Sequence, residues 1–366
     1  RMNSTYDTLF ALLRAALHGG EIPEVPNFSE LLQEARKQTV DGLLYALPDI
    51  RVNDTEHSEL LHWIAGMPRL EQVNREMEMH AGRLSALLEK HDVRHAIMKG
   101  QTCAVYYPHP LLRRSGDIDV YIVPDDFQKA CRALESLNFE KEEVLMQHSS
   151  YRKGTLLVEL HWVMQHFQWV PTHRRLLTIF NEEIAPQLNS QYTMQIAGRK
   201  VYVLPPEMNI VLLTAHPLMH IVNTGIGLRQ IIDWMMVLKG TRENINTAKL
   251  YDQLNQLHLL RAFRMLAYLC CTYLGLDEET ACISPDGKAY NDQDCMRGER
   301  ALKWIMQTGN FGHAMQFDDD STDARRHFYF LINFFRFFSL NPTEMMAWPW
   351  MKLYRFVAGQ KHLYDD

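Results

Sequence analysis

The chain has 366 residues, 46% hydrophobic and 22% charged, with 38 basic and 44 acidic side chains for a formal charge of −6. That length exceeds one ordinary hydrophobic core, so two or three packed regions are expected. The acidic balance, with no long Lys/Arg run, argues against gripping a long nucleic acid and favours a small-molecule or protein substrate.

Residues 1–92 read as helical. Leu9, Leu12, Leu13, Ala16 and Leu17 repeat at helical spacing, and because Arg14 interrupts them no secretory signal is expected. Ser29 stands before Leu31, Leu32 and Ala35 as an expected helix cap, with Gln33 near a capping-box position. A third helical pattern runs from Leu70 to Leu88.

The character changes at Val93. His95–Met98 reads as a buried strand ending at Lys99–Gly100, and Asp117–Val123 as a second strand stopped by Pro124. Asp125 and Asp126 open an amphipathic helix through Phe127, Ala130, Leu134 and Leu137. Thr155–Trp162 is a third strand, and together these imply an α/β unit of roughly 75 residues. Tyr192–Ile196 and Lys200–Leu204 flank Ala197–Gly198–Arg199 as a hairpin, after which Pro205 and Pro206 start a helix. From Glu207 the pattern is helical nearly to the end. The apolar stretch Phe328–Leu340, interrupted by Asn333 and Arg336, is too short for a membrane span. It is expected in a core, with a homodimer interface through this aromatic helix as the alternative. Six cysteines, with no CxxC pair, fit reduced thiols in a cytoplasmic protein rather than a zinc ribbon.

Chemistry concentrates in S-G-D-I-D-V-Y-I-V. Residues i and i+2 of a strand share a face, so Asp117 and Asp119 project side by side while Ile118, Val120 and Ile122 face a core. Adjacent carboxylates repel unless a cation lies between them, and hard divalent ions such as Mg²⁺ take oxygen ligands. Glu159 lies inside the apolar strand T-L-L-V-E-L-H-W and would complete a three-carboxylate cluster if the strands are neighbours. Gly100, between a strand and a short helix, offers backbone N–H groups to phosphate, with Lys99, Arg113 and Arg114 able to add charge nearby.

This ordered set, M-K-G…R-R-S-G-D-I-D-V-Y-I-V…L-V-E-L-H-W followed by H-P-L-M-H-I-V and G-L-R-Q-I-I-D-W, resembles a family of uncharacterised bacterial nucleotidyltransferases within the polymerase-β-like superfamily. The resemblance spans roughly residues 40 to 290 of the chain. It implies an α+β fold: a small mixed-sheet nucleotidyltransferase core (93–204) embedded in mainly helical N- and C-terminal regions (1–92 and 205–366). It implies transfer of a nucleoside monophosphate from an NTP to a hydroxyl acceptor. Asp117, Asp119 and Glu159 would be catalytic and hold Mg²⁺ or Mn²⁺; Lys99, Gly100, Thr102, Arg114, Ser115 and Arg229 would bind the nucleotide. The residue after Gly100 is Gln101, where the superfamily has Ser or Gly, so a nucleotide-binding or regulatory protein without turnover is the alternative.

His161 shares the face of Glu159 and either touches the site or is a structural histidine. His216 and His220 stand at i, i+4, but Pro217 occupies the position where a metalloprotease helix carries Glu. Arg229 and Asp233 share that spacing and are expected to pair within their helix. The segment His216–Asp233 is expected to line the far side of the cleft.

Overall fold

The computed structural model describes residues 4–144, 147–223, 225–310 and 332–357. Strands β1 (His95–Met98), β2 (Ile118–Ile122), β3 (Glu140–Val144), β4 (His148–Lys153) and β5 (Leu156–His161) form one mixed sheet in the order β1-β2-β5-β4-β3. Only β2 and β5 are parallel; β1 joins β2, and β3 and β4 extend from β5, in antiparallel fashion.

Nine helices and one further hairpin frame this sheet: α1 (Ser4–His18), α2 (Phe28–Lys37), α3 (His57–Ile64), α4 (Met67–Lys90), α5 (Gly100–Ala104), α6 (Phe127–Glu135), α7 (Val170–Ile179), hairpin β6–β7 (Thr193–Ile196, Arg199–Tyr202), α8 (Pro206–Asn223) and α9 (Leu228–Thr241). Additional helices follow to Pro342–Val357. The fold class is α+β, with helices dominating.

The two sheet faces have different fates. Ile97, Ile118, Val120, Ile122, Val158 and Leu160 pack on Leu84 and Leu88 of α4 and Ala130 and Leu134 of α6. Ala96, Met98 and Tyr121, on the other face, join a larger core that includes α1, α2, α8 and α9. The helices of residues 1–92 are thus divided between the two cores. Gln38, just after α2, ties the N-terminal helices to the C-terminal part of the larger core: fully buried, it donates to the Ile305 carbonyl and accepts from the Leu228 amide.

Several expectations need correction. The sheet has five strands, not three. E-K-E-E-V forms an exposed charged edge, a sequence that protects an edge from further pairing but gives no apolar signal. H-S-S-Y-R-K forms β4, which turns through Gly154 into β5. The helix of Asp126–Leu137 stops at Glu135, leaving Leu137 exposed. The cap of α2 is Asn27, whose side chain accepts from the Glu30 amide at 2.9 Å, not Ser29. Asn27 has the extended backbone that a cap requires, whereas Ser29 already lies inside the helix. The β6–β7 hairpin turns on Ala197 and Gly198, both at positive φ. Of the aromatic stripe, Phe328 to Leu331 lies outside the described residues. Phe337 is in the core, and Phe335 is exposed.

Candidate active site

Strand register assembles the site. Met98 pairs with Asp119 and Asp119 with Glu159, so the end of β1, the start of β2 and the middle of β5 meet. Asp117 precedes β2 and shares the face of Asp119. Ligand oxygens of Asp117, Asp119 and Glu159 all lie within 4.8 Å of one another. His161, two residues beyond Glu159, approaches Asp119 Oδ1 at 2.9 Å and Glu159 Oε2 at 3.3 Å. His148 stands opposite His161 across β4 and β5, with its Nε2 3.6 Å from Glu159 Oε2.

Lys99 closes the cluster from β1. Its ammonium donates to Asp119 Oδ1 at 3.1 Å. It follows the strand at φ +50°, and Gly100 continues at φ +42°, a left-handed pair that turns the chain sharply into α5. A Cβ at Gly100 would meet only the Asp117 carbonyl, at 3.6 Å, so dihedral freedom rather than space calls for glycine.

The charges are unevenly satisfied. Burial, with the charges of Asp119 and Glu159 beside it, pushes the Asp117 carboxyl up to about 6. Burial also opposes ionisation of Asp119, but Lys99 and His161 outweigh it and hold that carboxyl well below the usual range. Glu159 is lowered too, as the His161 hydrogen bond overcomes its burial. Burial works against protonation of His161, yet the hydrogen bonds to Asp119 and Glu159 raise its pKa. An oxygen-rich set in which one acid stays under-neutralised suits a hard divalent cation, so the residues present fit the ion that the pattern implies.

Residues 25–275 match the family described as uncharacterised nucleotidyltransferases. The chain belongs to that family. The general role of the family, nucleotidyl transfer, makes a nucleotide the expected substrate. No curated protein matches the chain. Among solved structures, an antigenic nucleotidyltransferase-like protein from Paracoccidioides brasiliensis is 21% identical, covering 46% of this chain and 75% of that one, with a TM-score of 0.27. A likeness that loose carries no argument. No helix among the described residues is long and apolar enough to cross a membrane.

Around this nucleotidyltransferase core, the expected nucleotide-binding residues separate. Ser115 and Arg114 line an open cleft of 360 Å³ together with Arg36, Tyr45, Trp63 and Arg69. Arg114 is already held by Asp41 through two hydrogen bonds of 2.6 and 2.5 Å. Thr102 is 1% exposed and its hydroxyl donates to the Lys99 carbonyl, so it is not open to a phosphate. Gln101 is equally buried, and neither atom of its amide finds a hydrogen-bond partner.

The intrahelical pair of Arg229 and Asp233 does not form. Asp233 instead takes Arg113, at 2.6 and 2.7 Å, and the Tyr107 hydroxyl at 2.7 Å. Fork geometry on a fully desolvated carboxylate outcompetes a pairing along one helix. Arg229 is partly buried and donates to the Arg114 carbonyl at 3.0 Å, bracing the segment that leads into Asp117. Burial first, then Arg113, lower its pKa. Burial and the Lys99 charge depress the pKa values of His216 and His220, and the Asp119 charge opposes that shift in both. Their rings are 4.4 Å apart, centroid to centroid.

Sequence reasoning missed His148. Its signal was the turn at Lys153–Gly154–Thr155. A hairpin there pairs Lys153 with Leu156 and, counting back, His148 with His161.

Proposed function

We propose that the chain transfers a nucleoside monophosphate from an NTP to a hydroxyl acceptor, a small molecule or a protein side chain, releasing pyrophosphate. The observation that carries this reading is the convergence of Asp117, Asp119 and Glu159 from the start of β2 and the middle of β5 within 4.8 Å. These carboxylates would hold Mg²⁺ or Mn²⁺, which when bound neutralises phosphate charge and activates an acceptor oxygen. Lys99 supplies a positive charge at the end of β1 for the phosphates, and the backbone at Gly100 is the expected second contact. Glu159, or Asp119, accepts the acceptor proton. Ser115, which lines the 360 Å³ cleft, stands two residues before Asp117, and the arginines and aromatic rings of that cleft suit an anionic ligand with a planar base. Arg113 and Arg229 position the loop; they are not phosphate ligands in this reading.

A second reading, nucleotide binding without turnover, is favoured by one feature. Lys99 already occupies Asp119, where an ion would compete with it. Incubation with each labelled NTP, Mg²⁺ or Mn²⁺ and candidate acceptors separates the two. Release of pyrophosphate supports transfer; stoichiometric binding of an NTP that stays intact supports the second reading.

A further inference from the structure

Beside the carboxylate cluster lies a donor set of different chemistry. His148, Glu159 and His161 each offer one ligand atom, and these atoms lie within 4.8 Å of one another. The Nε2 atoms of both imidazoles lie near one oxygen, Glu159 Oε2, at 3.6 Å for His148 and 3.3 Å for His161, while the shorter contact of His161 Nε2 is with Asp119 Oδ1 at 2.9 Å. The arrangement follows from register: Ser150 pairs with Glu159 and His148 with His161, so both rings and the carboxylate share one sheet face.

His148 makes this more than a hydrogen-bonded cluster. It is 7% exposed, its Nδ1 is buried with no hydrogen-bond partner, and its Nε2 is too far from Glu159 to be hydrogen-bonded. Burying an imidazole that makes no hydrogen bond is unfavourable. A cation at the point where the three donors converge would give the ring a partner at Nε2, the nitrogen that faces Glu159.

We propose that His148, His161 and Glu159 bind a second divalent cation of the borderline class that accepts imidazole nitrogen, such as Zn²⁺, Mn²⁺, Fe²⁺ or Co²⁺. Mg²⁺ prefers all-oxygen sets and belongs with Asp117 and Asp119, whereas two nitrogens and a carboxylate select the softer ions. Glu159 is common to both sets and has two oxygens to share. Neither histidine gives its Nδ1 to an acceptor. Such outer partners ordinarily raise ligand basicity, so the ion is held by its first ligands alone and exchanges readily.

The test uses the metal-free full chain and Co²⁺. The wild type is expected to develop visible d–d bands that Zn²⁺ abolishes and a tenfold excess of Mg²⁺ leaves in place. Asp117→Asn keeps the bands, and His148→Gln weakens Co²⁺ binding by about tenfold or more. Equal Co²⁺ affinity in wild type and His148→Gln, or displacement by Mg²⁺, overturns the proposal. Should His148→Gln not fold, pulsed EPR of Mn²⁺ on the wild type decides: imidazole nitrogen couplings support the site, and their absence refutes it. This inference does not depend on the transfer reaction. The bands are expected even if no NTP turns over, and Mg²⁺-dependent transfer can stand without them.

Discussion

The Lys99 ammonium lies 3.1 Å from the Oδ1 of Asp119, closing a pocket of three acids from the end of the neighbouring strand. In this geometry lysine and a cation compete for the same oxygen. Lys99→Met is therefore expected to tighten Mg²⁺ binding, measured by calorimetry without nucleotide, by about tenfold, one pKa unit's worth of interaction. The same variant is expected to bind NTP more weakly, since the phosphates lose a positive charge. Unchanged Mg²⁺ affinity would show that Lys99 and the ion do not share Asp119.

The clamp of Arg113 and Tyr107 on Asp233 ties the segment before β2 to α9. Both ionic partners are almost fully buried. Removing one leaves the other charged and unpaired, so Asp233→Ala is expected to cost about 3–5 kcal/mol in urea denaturation. Adding Arg113→Met should recover part of that loss. A cost below about 1 kcal/mol, the range of exposed pairs, would contradict a buried clamp.

Metal binding should depend on pH through Asp117. Its carboxyl is raised to about 6, so it carries a proton below that pH and the cation must displace it. Stabilisation by Mg²⁺, read as a shift in Tm, is expected to be small at pH 5, to grow through pH 6 and to level off above pH 7. Asp117→Asn should flatten this profile. A wild-type shift independent of pH across that window would remove Asp117 from the ion's ligands.

His95 gives a pH dependence of folding itself. Its ring is fully buried, donating from Nδ1 to the Val93 carbonyl and accepting at Nε2 from the Ser85 hydroxyl. Burial lowers its pKa to about 4, so the folded state keeps it neutral where the unfolded chain, near 6.5, takes up a proton. The contribution is fully present above pH 6.5 and is lost as the pH falls toward 4, about 3 kcal/mol in all. Urea denaturation at pH 7 and pH 4.5 measures the loss. His95→Gln should have a shallower dependence than wild type over the same range.

The strands around the three acids were legible because they are buried: H-A-I-M, I-D-V-Y-I and L-L-V-E-L-H are apolar runs, against which Asp119 and Glu159 stand out, with Asp117 just before the second. Glycine and proline marked the β6–β7 hairpin and the start of α8. The polar strands β3 and β4 were not legible, since one is an exposed edge and the other is turned partly toward the site, so neither shows simple apolar alternation. His148 was hidden with them. The partner of Asp233 was hidden for another reason: Arg113 lies 120 residues away, and only tertiary packing selects it over Arg229 on the same helix. Asn27 shows a smaller failure, a boundary misplaced by two residues because Ser29 is also a good capping residue.

The central claim is cation-dependent transfer by Asp117, Asp119 and Glu159, and labelled pyrophosphate tests it most directly. The full chain would be incubated with NTPs carrying a labelled γ-phosphate, a panel of hydroxyl acceptors, and Mg²⁺, Mn²⁺ or EDTA, in parallel with Asp119→Asn. Removing a ligand at the reacting centre is expected to cost at least about a hundredfold in rate. Labelled pyrophosphate is therefore expected from the wild type with Mg²⁺ or Mn²⁺, none with EDTA, and at least a hundredfold less from Asp119→Asn. Pyrophosphate release that persists in EDTA, or at the wild-type rate in a folded Asp119→Asn protein, would contradict the account.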